Sequence, residues 1–282
     1  MDHIVVGIDA GMASDSALDW AIHRVGSDDI EVRLVTSTER SSEVETARLE
    51  SLRARVRAAC PRARVEISLR GESIVDALAL EALDALLLVV GYDPRHPVRS
   101  VFTGSMPLRI ASAVDAPTVI VPKDWSPTDG DVIACLSDDG TADDAAFVAA
   151  READRLGARL TVLHAWEYPT PDDVTGHYDL TRAEVRELHA ADVRVVTDSV
   201  AQQYPGLEIA WVLDEAPAAQ SIVEHARDAR LLVMGTHGLG VVLGALLGSV
   251  GADVVHGVRC PVCIVPHEAA RVMALLGIEE VG

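Results

Sequence analysis

Asp84 followed by ALLLVVG (residues 85–91) and Asp228 followed by ARLLVMG (residues 229–235) are two versions of one segment. Both carry Gly-Ser 13 residues beyond their glycine, at Gly104-Ser105 and Gly248-Ser249, and both close on a β-rich run, APTVIVP (116–122) and CPVCIVP (260–266). A repeat at half-length means that the fold must be read as two copies of one unit. Working outward within the first copy, short apolar runs alternate with helical periods. Strands are predicted at Ile4–Ile8, Val32–Ser37, Val65–Leu69, Leu86–Val90 and Thr118–Val121, with helices from Ser14 and over Ser42–Ala59, Ser73–Ala82 and Ser105–Ala113. This βαβαβαβαβ order predicts an α/β fold: two tandem open five-stranded parallel sheets, Rossmann-like, with helices on both faces.

The second copy starts near Val132 and carries an additional loop at Glu167–Asp179, after which Thr181 and Glu184 have the spacing of a capping box. The polar stretch DWSPTDG (124–130) reads as the linker between copies. The expected domains are therefore residues 1–124 and 130–267, with residues 268–282 as a C-terminal tail whose stretch Val272–Leu276 is amphipathic.

Composition narrows the function. The chain has 282 residues, 49% of them hydrophobic, and a mean hydropathy of +0.20, enough to bury a large core. Forty-four acidic residues oppose 24 basic ones, a formal charge of −20, which repels a phosphate backbone and makes nucleic acid and anionic membrane surfaces poor partners. The surplus is uneven, with 19 acids and 14 bases in residues 1–126 and 25 acids and 10 bases in residues 127–282, a solvated face in the simplest reading. Of the 24 basic residues 23 are arginines and one is Lys123, a bias read as coding preference. No apolar run is long enough to span a bilayer and the first residues have no signal-peptide pattern, so a cytoplasmic location is expected. Four cysteines are too few for a disulfide scaffold.

Ligands of open parallel sheets sit beyond the carboxyl ends of the strands, where the strand order reverses. The segments after the first and fourth strands are thus the candidate site. Asp9 follows strand one, and a glycine-bearing loop that ends at a helix N-terminus follows strand four, a combination suited to holding an anion through backbone N–H groups.

Val5-Val6-Gly7-Ile8-Asp9, Leu163-His164-Ala165, and above all Gly235, Gly238, Gly248 and Ser249 with the spacing G-x2-G-x9-G-S resemble the universal stress protein family over about residues 1–266. The resemblance implies a sheet ordered 3-2-1-4-5 and, in many members, ATP held by the loops after strands one and four. By the family's motif, Gly235, Gly238, Gly248 and Ser249 would contact phosphates and ribose, with Val250 adding a backbone N–H. Ala165 would face the adenine, and Asp138 or its neighbour Asp139 would bond the adenine or ribose side, Asp138 being favoured by its distance to the following helix. In the first copy the corresponding residues are Asp9, Ser37, Gly91, Gly104 and Ser105. That copy departs from the pattern: Pro94 replaces the second glycine and Pro107 follows Ser105, each removing a backbone donor, while Arg95, His96 and Arg99 add positive charge. In the second copy Leu239 stands where a basic residue is common, so phosphate charge would be met by N–H groups, the helix dipole and Mg²⁺.

The expected function is an adenine-nucleotide-binding stress-response or signalling protein, with ATP as cofactor, no robust turnover, and two copies forming an intramolecular pseudo-dimer or a homodimer through the fifth strands. Two alternatives stay open: a nucleotide-independent interaction module using the apolar stretch Leu239–Leu247, and a slow ATPase. His256, Cys260, Cys263 and His267 have a zinc-like spacing, but Cys260 and Cys263 fall on a strand, where residues three apart face opposite sides, so no metal site is expected. No Gly-x-Ser-x-Gly elbow or His-Glu-x-x-His helix is present.

Overall fold

The structure is a computed structural model that describes residues 2–9, 13–37, 43–93, 106–137, 142–168, 180–236 and 249–266. The order of elements runs β1 (His3–Gly7), α1 (Ala13–Val25), β2 (Glu31–Ser37), α2 (Glu43–Ala59), β3 (Arg64–Arg70), α3 (Ile74–Glu81), β4 (Leu87–Tyr92), α4 (Met106–Ala111) and β5 (Thr118–Pro122). It then repeats as β6 (Val132–Leu136), α5 (Ala142–Leu156), β7 (Leu160–Trp166), α6 (Arg182–Gln203), β8 (Ile209–Glu215), α7 (Ala218–His225), β9 (Leu231–Gly235), α8 (Ser249–Gly257) and β10 (Val262–Val265).

The described residues of 1–127 and 261–266 form one compact unit, and those of 128–236 and 249–260 form a second. In the first unit the strands lie in the order β3-β2-β1-β4-β5-β10, the first five parallel and β10 antiparallel to β5, with Val262 opposite Ile120 and Ile264 opposite Thr118. In the second unit the order is β9-β6-β7-β8, all parallel. Both place the first strand of each copy centrally, between its second and fourth, and so bring the carboxyl ends of those strands side by side.

The sequence division at residues 124–130 thus differs from the packed one at a single element. Residues 262–265 belong in sequence to the second copy and fall in the first unit, where β10 forms an antiparallel ladder with β5.

Consecutive buried residues explain why both faces of the sheets must be covered. Ile4, Val5 and Val6 in β1, Leu87 to Val90 in β4 and Val132 to Ala134 in β6 are all buried, which a strand with one wet face would not permit. Helix ends follow local rules. Ser73 caps α3 by accepting the Asp76 N–H at 3.3 Å, and Thr181 with Glu184 forms the expected capping box on α6, the Thr181 N–H donating to the Glu184 carboxylate at 2.7 Å. Gly26 and Gly157 follow α1 and α5 at φ +53° and +58°, the left-handed conformation that glycine adopts most cheaply.

Candidate functional site

In the second unit the register sets the stage. Leu136 at the end of β6 pairs with His164 of β7, Cys135 pairs with Met234 of β9, and Ala165 pairs with Asp214 of β8. The residues that end these strands therefore lie at one end of the sheet, the end from which the segments after Leu136 and Gly235 depart. Gly235 and Val250 are part-exposed, Ser249 opens the nine-residue α8, and Ala165 is part-exposed near the end of β7. Asp138, Asp139, Gly238 and Gly248 lie outside the described residues, as does the segment 237–248 that joins β9 to α8.

Beside Ala165, and on the other face of β7, the structure builds a cluster that the sequence reading did not single out. His164 is 3% exposed. Its Nδ1 lies 3.3 Å from the Leu136 carbonyl oxygen and its Nε2 lies 2.9 Å from Nδ1 of His189, which α6 supplies. The His189 ring packs in turn against Trp166, with centroids 5.3 Å apart. His164 and Trp166 are two residues apart and so share a face. The periodic signal was present in the sequence, but the partner on α6 is 25 residues away and no spacing rule points to it.

In the first unit the corresponding groups are engaged by the protein itself. Asp9 is exposed, and its backbone carbonyl accepts from Ser14 Oγ at 3.1 Å and from the Arg48 guanidinium, which α2 extends over the end of β1. Arg48 also bonds Ser14 Oγ at 3.2 Å and Asp15 Oδ1 at 3.3 Å. Ser37 donates its hydroxyl to the Glu72 carbonyl at 2.8 Å. Gly91 packs against the start of α1, where a Cβ would fall 2.0 Å from the Ala13 oxygen, so this glycine is required for the close approach of strand and helix. Lys123 pairs with Asp93 at 2.9 Å directly beyond β4. Gly104, Ser105, Pro94, Arg95, His96 and Arg99 lie outside the described residues. Pro107 is buried in the first turn of α4, a position where a missing N–H costs the helix nothing.

Elsewhere the groups with chemical potential are quiet. All four cysteines are free and buried. Burial raises the Cys135 thiol, with a contribution from the nearby Cys260, and pushes Cys260 up to about 12, so neither is a thiolate at neutral pH. Ser221 Oγ donates to Asp214 at 2.6 Å while His225 Nδ1 faces the Ser221 backbone oxygen at 2.9 Å, an order in which the imidazole does not serve the hydroxyl. Among the described residues no three His, Cys, Asp or Glu side chains are placed to hold a metal ion, and no helix is long and apolar enough to cross a membrane.

A parallel sheet with its first strand between the second and fourth defines a doubly wound α/β class of domain. Residues 131–266 match the model of the universal stress protein family, and the chain is similar over most of its length to proteins of that family. It is 27% identical to a universal stress protein of Mycolicibacterium smegmatis, the match covering 93% of this chain and 96% of that protein. A universal stress protein of Mycobacterium tuberculosis is 24% identical over 95% of this chain and 96% of its own length. The fold matches the crystal structure of a universal stress protein from Archaeoglobus fulgidus with a TM-score of 0.69 at 17% identity, covering 94% of this chain and 96% of that one. The cytoplasmic domain of a prokaryotic cation chloride cotransporter also shares the fold, at a TM-score of 0.58 and 12% identity, over 97% of this chain and 98% of that one.

Proposed function

We propose that the second copy binds an adenine nucleotide, ATP foremost, with Mg²⁺ as counter-charge, and that the protein acts in a stress response or in signalling through occupancy of that site rather than through turnover. The observation that carries this reading is the placement of G-x2-G-x9-G-S: its first glycine, Gly235, ends β9 and its serine, Ser249, begins α8. A loop entering a helix N-terminus from the carboxyl end of a central parallel strand presents N–H groups and a favourable dipole to a phosphate chain. Ala165 at the end of β7 supports an adenine on the neighbouring strand, and Asp138 follows the end of β6 by two residues.

Occupancy can signal because residues 235–251 contain six glycines and no Asp, Glu, Lys or Arg, a stretch that offers a phosphate chain backbone N–H groups without a competing charge. The bound form would rearrange Val241, Val242, Leu243, Leu246 and Leu247, an apolar set a partner could read. In this reading the protein is cytoplasmic and its small-molecule partner is an adenine nucleotide. The β5–β10 ladder supports pairing through the fifth strands.

The test is ATP titration of the full chain with and without Mg²⁺, with hydrogen exchange of residues 235–251. Protection by both ATP and a non-hydrolysable analogue is the expected result. No binding leaves an interaction module of the same fold, and protection by hydrolysable ATP alone favours an ATPase.

A further inference from the structure

The sheet of the second unit ends in a strand with an apolar outer edge. β8 pairs with β7, and the Leu160 N–H donates to the Glu208 carbonyl at 2.9 Å, so Glu208, Ala210, Val212 and Asp214 are the residues whose backbone groups bond β7. In an extended strand the N–H and C=O of one residue point to the same side, and those of the next residue to the opposite side. The backbone groups of Ile209, Trp211 and Leu213 therefore point away from β7, and among the described residues no strand lies beyond β8. Trp211, in the middle of this run, is 40% exposed.

β3 is the corresponding strand of the first copy. Matching turns precede the two strands, the Ala63 N–H donating to the Cys60 carbonyl and the Leu207 N–H to the Tyr204 carbonyl, each at 3.0 Å. Val65 and Ile209 hold equivalent places in their ladders, opposite Val32 and Leu160. On this alignment β3 sets Glu66, Ser68 and Arg70 between its outward residues, whereas β8 sets Ala210, Val212 and Asp214 there. The outward carbonyl of Val65 also accepts from Arg57 of α2 at 3.5 Å, and the residue of α6 in the place of Arg57 is Ala201. Charges along an edge strand and side chains laid over it are the means by which proteins keep further strands from adding. The first copy has both, while the second has no charge over residues 209–213 and an alanine where the arginine would stand.

We propose that the outer edge of β8 is a docking site for an extended segment of a partner protein, with alternating apolar side chains and a Lys or Arg at either end, which joins the sheet as a further strand and packs on Trp211. Charge selects this occupant. The uncharged run is bounded by Glu208, whose side chain is 78% exposed, and by Asp214 and Glu215. Arg182 pairs with Glu215 at 3.1 Å, and Arg159, 3.9 Å from Glu208, is held by Asp131 at 2.8 Å. Asp131, Glu208, Asp214 and Glu215 outnumber these two arginines, and they stay in excess even when His225, 3.9 Å from Asp214, is protonated. A second copy of the chain would bring the same negative edge against itself, whereas a cationic segment makes the contact attractive. The docking site is separate from nucleotide binding and does not depend on it.

The test uses the full chain with the peptide Lys-Val-Thr-Val-Thr-Val-Lys, blocked at both ends, as probe, read by calorimetry and by exchange of the individual amides of β8. With saturating peptide the Trp211 and Leu213 amides should slow about tenfold, while those of Ala210, Val212 and Asp214, which already bond β7, keep their rates. The same peptide N-methylated throughout, and the peptide with Glu in place of Lys, should each bind about tenfold more weakly. Leu213→Pro removes an outward donor and spares the ladder to β7, and Ala201→Arg installs the side chain that covers the edge in the first copy. Each should weaken binding about tenfold, and Ala201→Met, which adds bulk without a donor, should leave it unchanged; the Ala201 pair decides if the proline variant does not fold. Unchanged exchange at Trp211 and Leu213, or equal binding of the N-methylated peptide, overturns the proposal. A dimer of the chain alone that Leu213→Pro dissolves in sedimentation also overturns it, with a second copy as the occupant.

Discussion

Gly91 and Ala13 meet backbone to backbone: a Cβ on Gly91 would stand 2.0 Å from the Ala13 carbonyl oxygen and 2.9 Å from the Ser14 nitrogen. Neither atom can retreat without moving the first turn of α1. Gly91→Ala is therefore expected to destabilise the chain by about 3 kcal/mol, at the upper end for overpacking. A urea unfolding midpoint equal to wild type would show that the helix yields cheaply.

Glu81 gives the first unit an acid-sensitive cross-link. Its buried carboxylate accepts Ser68 Oγ at 2.6 Å and Arg70 Nε at 2.7 Å, with Arg33 at 3.5 Å. Burial alone would raise this carboxyl, but the bonds from Ser68 and Arg70 and the charges of Arg70 and Arg33 outweigh it and hold the group below its usual range. A carboxyl depressed in the folded state contributes stability that is complete above its unfolded pKa, near 4.3, and is lost as pH falls through the lower folded value. Glu81→Gln should lower stability at pH 7 by about 1 to 3 kcal/mol and flatten the decline below pH 4. Parallel pH profiles for the two proteins would contradict this.

The antiparallel ladder of β10 with β5 makes a specific claim on Val262 and Ile120, which face each other. A proline at either position removes a donor and disrupts the pair. Val262→Pro and Ile120→Pro should each lower the melting temperature, and sedimentation reads whether the hydrodynamic shape loosens with it. Unchanged melting in both variants would mean that the ladder contributes little.

The glycine loops of the two copies are predicted to differ in ligand affinity. Gly248→Pro removes an N–H from the loop before α8 and should abolish most ATP binding, while Gly104→Pro, in a copy already carrying Pro94 and Pro107, should change it little. Calorimetric titration of the two variants decides. A larger loss from Gly104→Pro would make the first copy the binding one.

Buried thiols predict slow chemistry. With Cys60, Cys135, Cys260 and Cys263 all buried and Cys260 pushed up to about 12, alkylation at pH 8 should label almost no cysteine in the native chain and all four after unfolding in urea. Rapid native labelling of any one would reveal local opening there.

Much of the fold was legible because the duplication compares the chain with itself. The runs ending at Gly91 and Gly235 marked the fourth strands, and the order 3-2-1-4-5 that the family resemblance implies is the order of the first unit. Thr181 and Glu184 marked the start of α6 through purely local bonding, which is why spacing sufficed. Element ends shifted by a residue or two, as at β4, which runs on to Tyr92 because its ladder with β5 continues to Pro122. The site was less legible. That Gly91 serves close packing, that Arg48 spans from α2 to Asp9, and that His164 meets His189 are all contacts between distant segments, and each depends on where a helix lies across a sheet. The fifth strands read as edges that pair, and β10 does pair with β5; its place in the first unit depends on packing that no local pattern states.

The membership of β10 in the first unit also shapes how the chain is made. When β5 leaves the ribosome its free edge is exposed, and the strand that covers it is synthesised only after β6 to β9. Until then Val119 and Val121 border an open β-branched edge, the kind of surface on which nascent chains mispair. Closing that edge is a contact between segments far apart in sequence, and such contacts form slowly. The interval between the two strands is thus a window in which a chaperone, or a neighbouring nascent chain, competes for the same backbone groups.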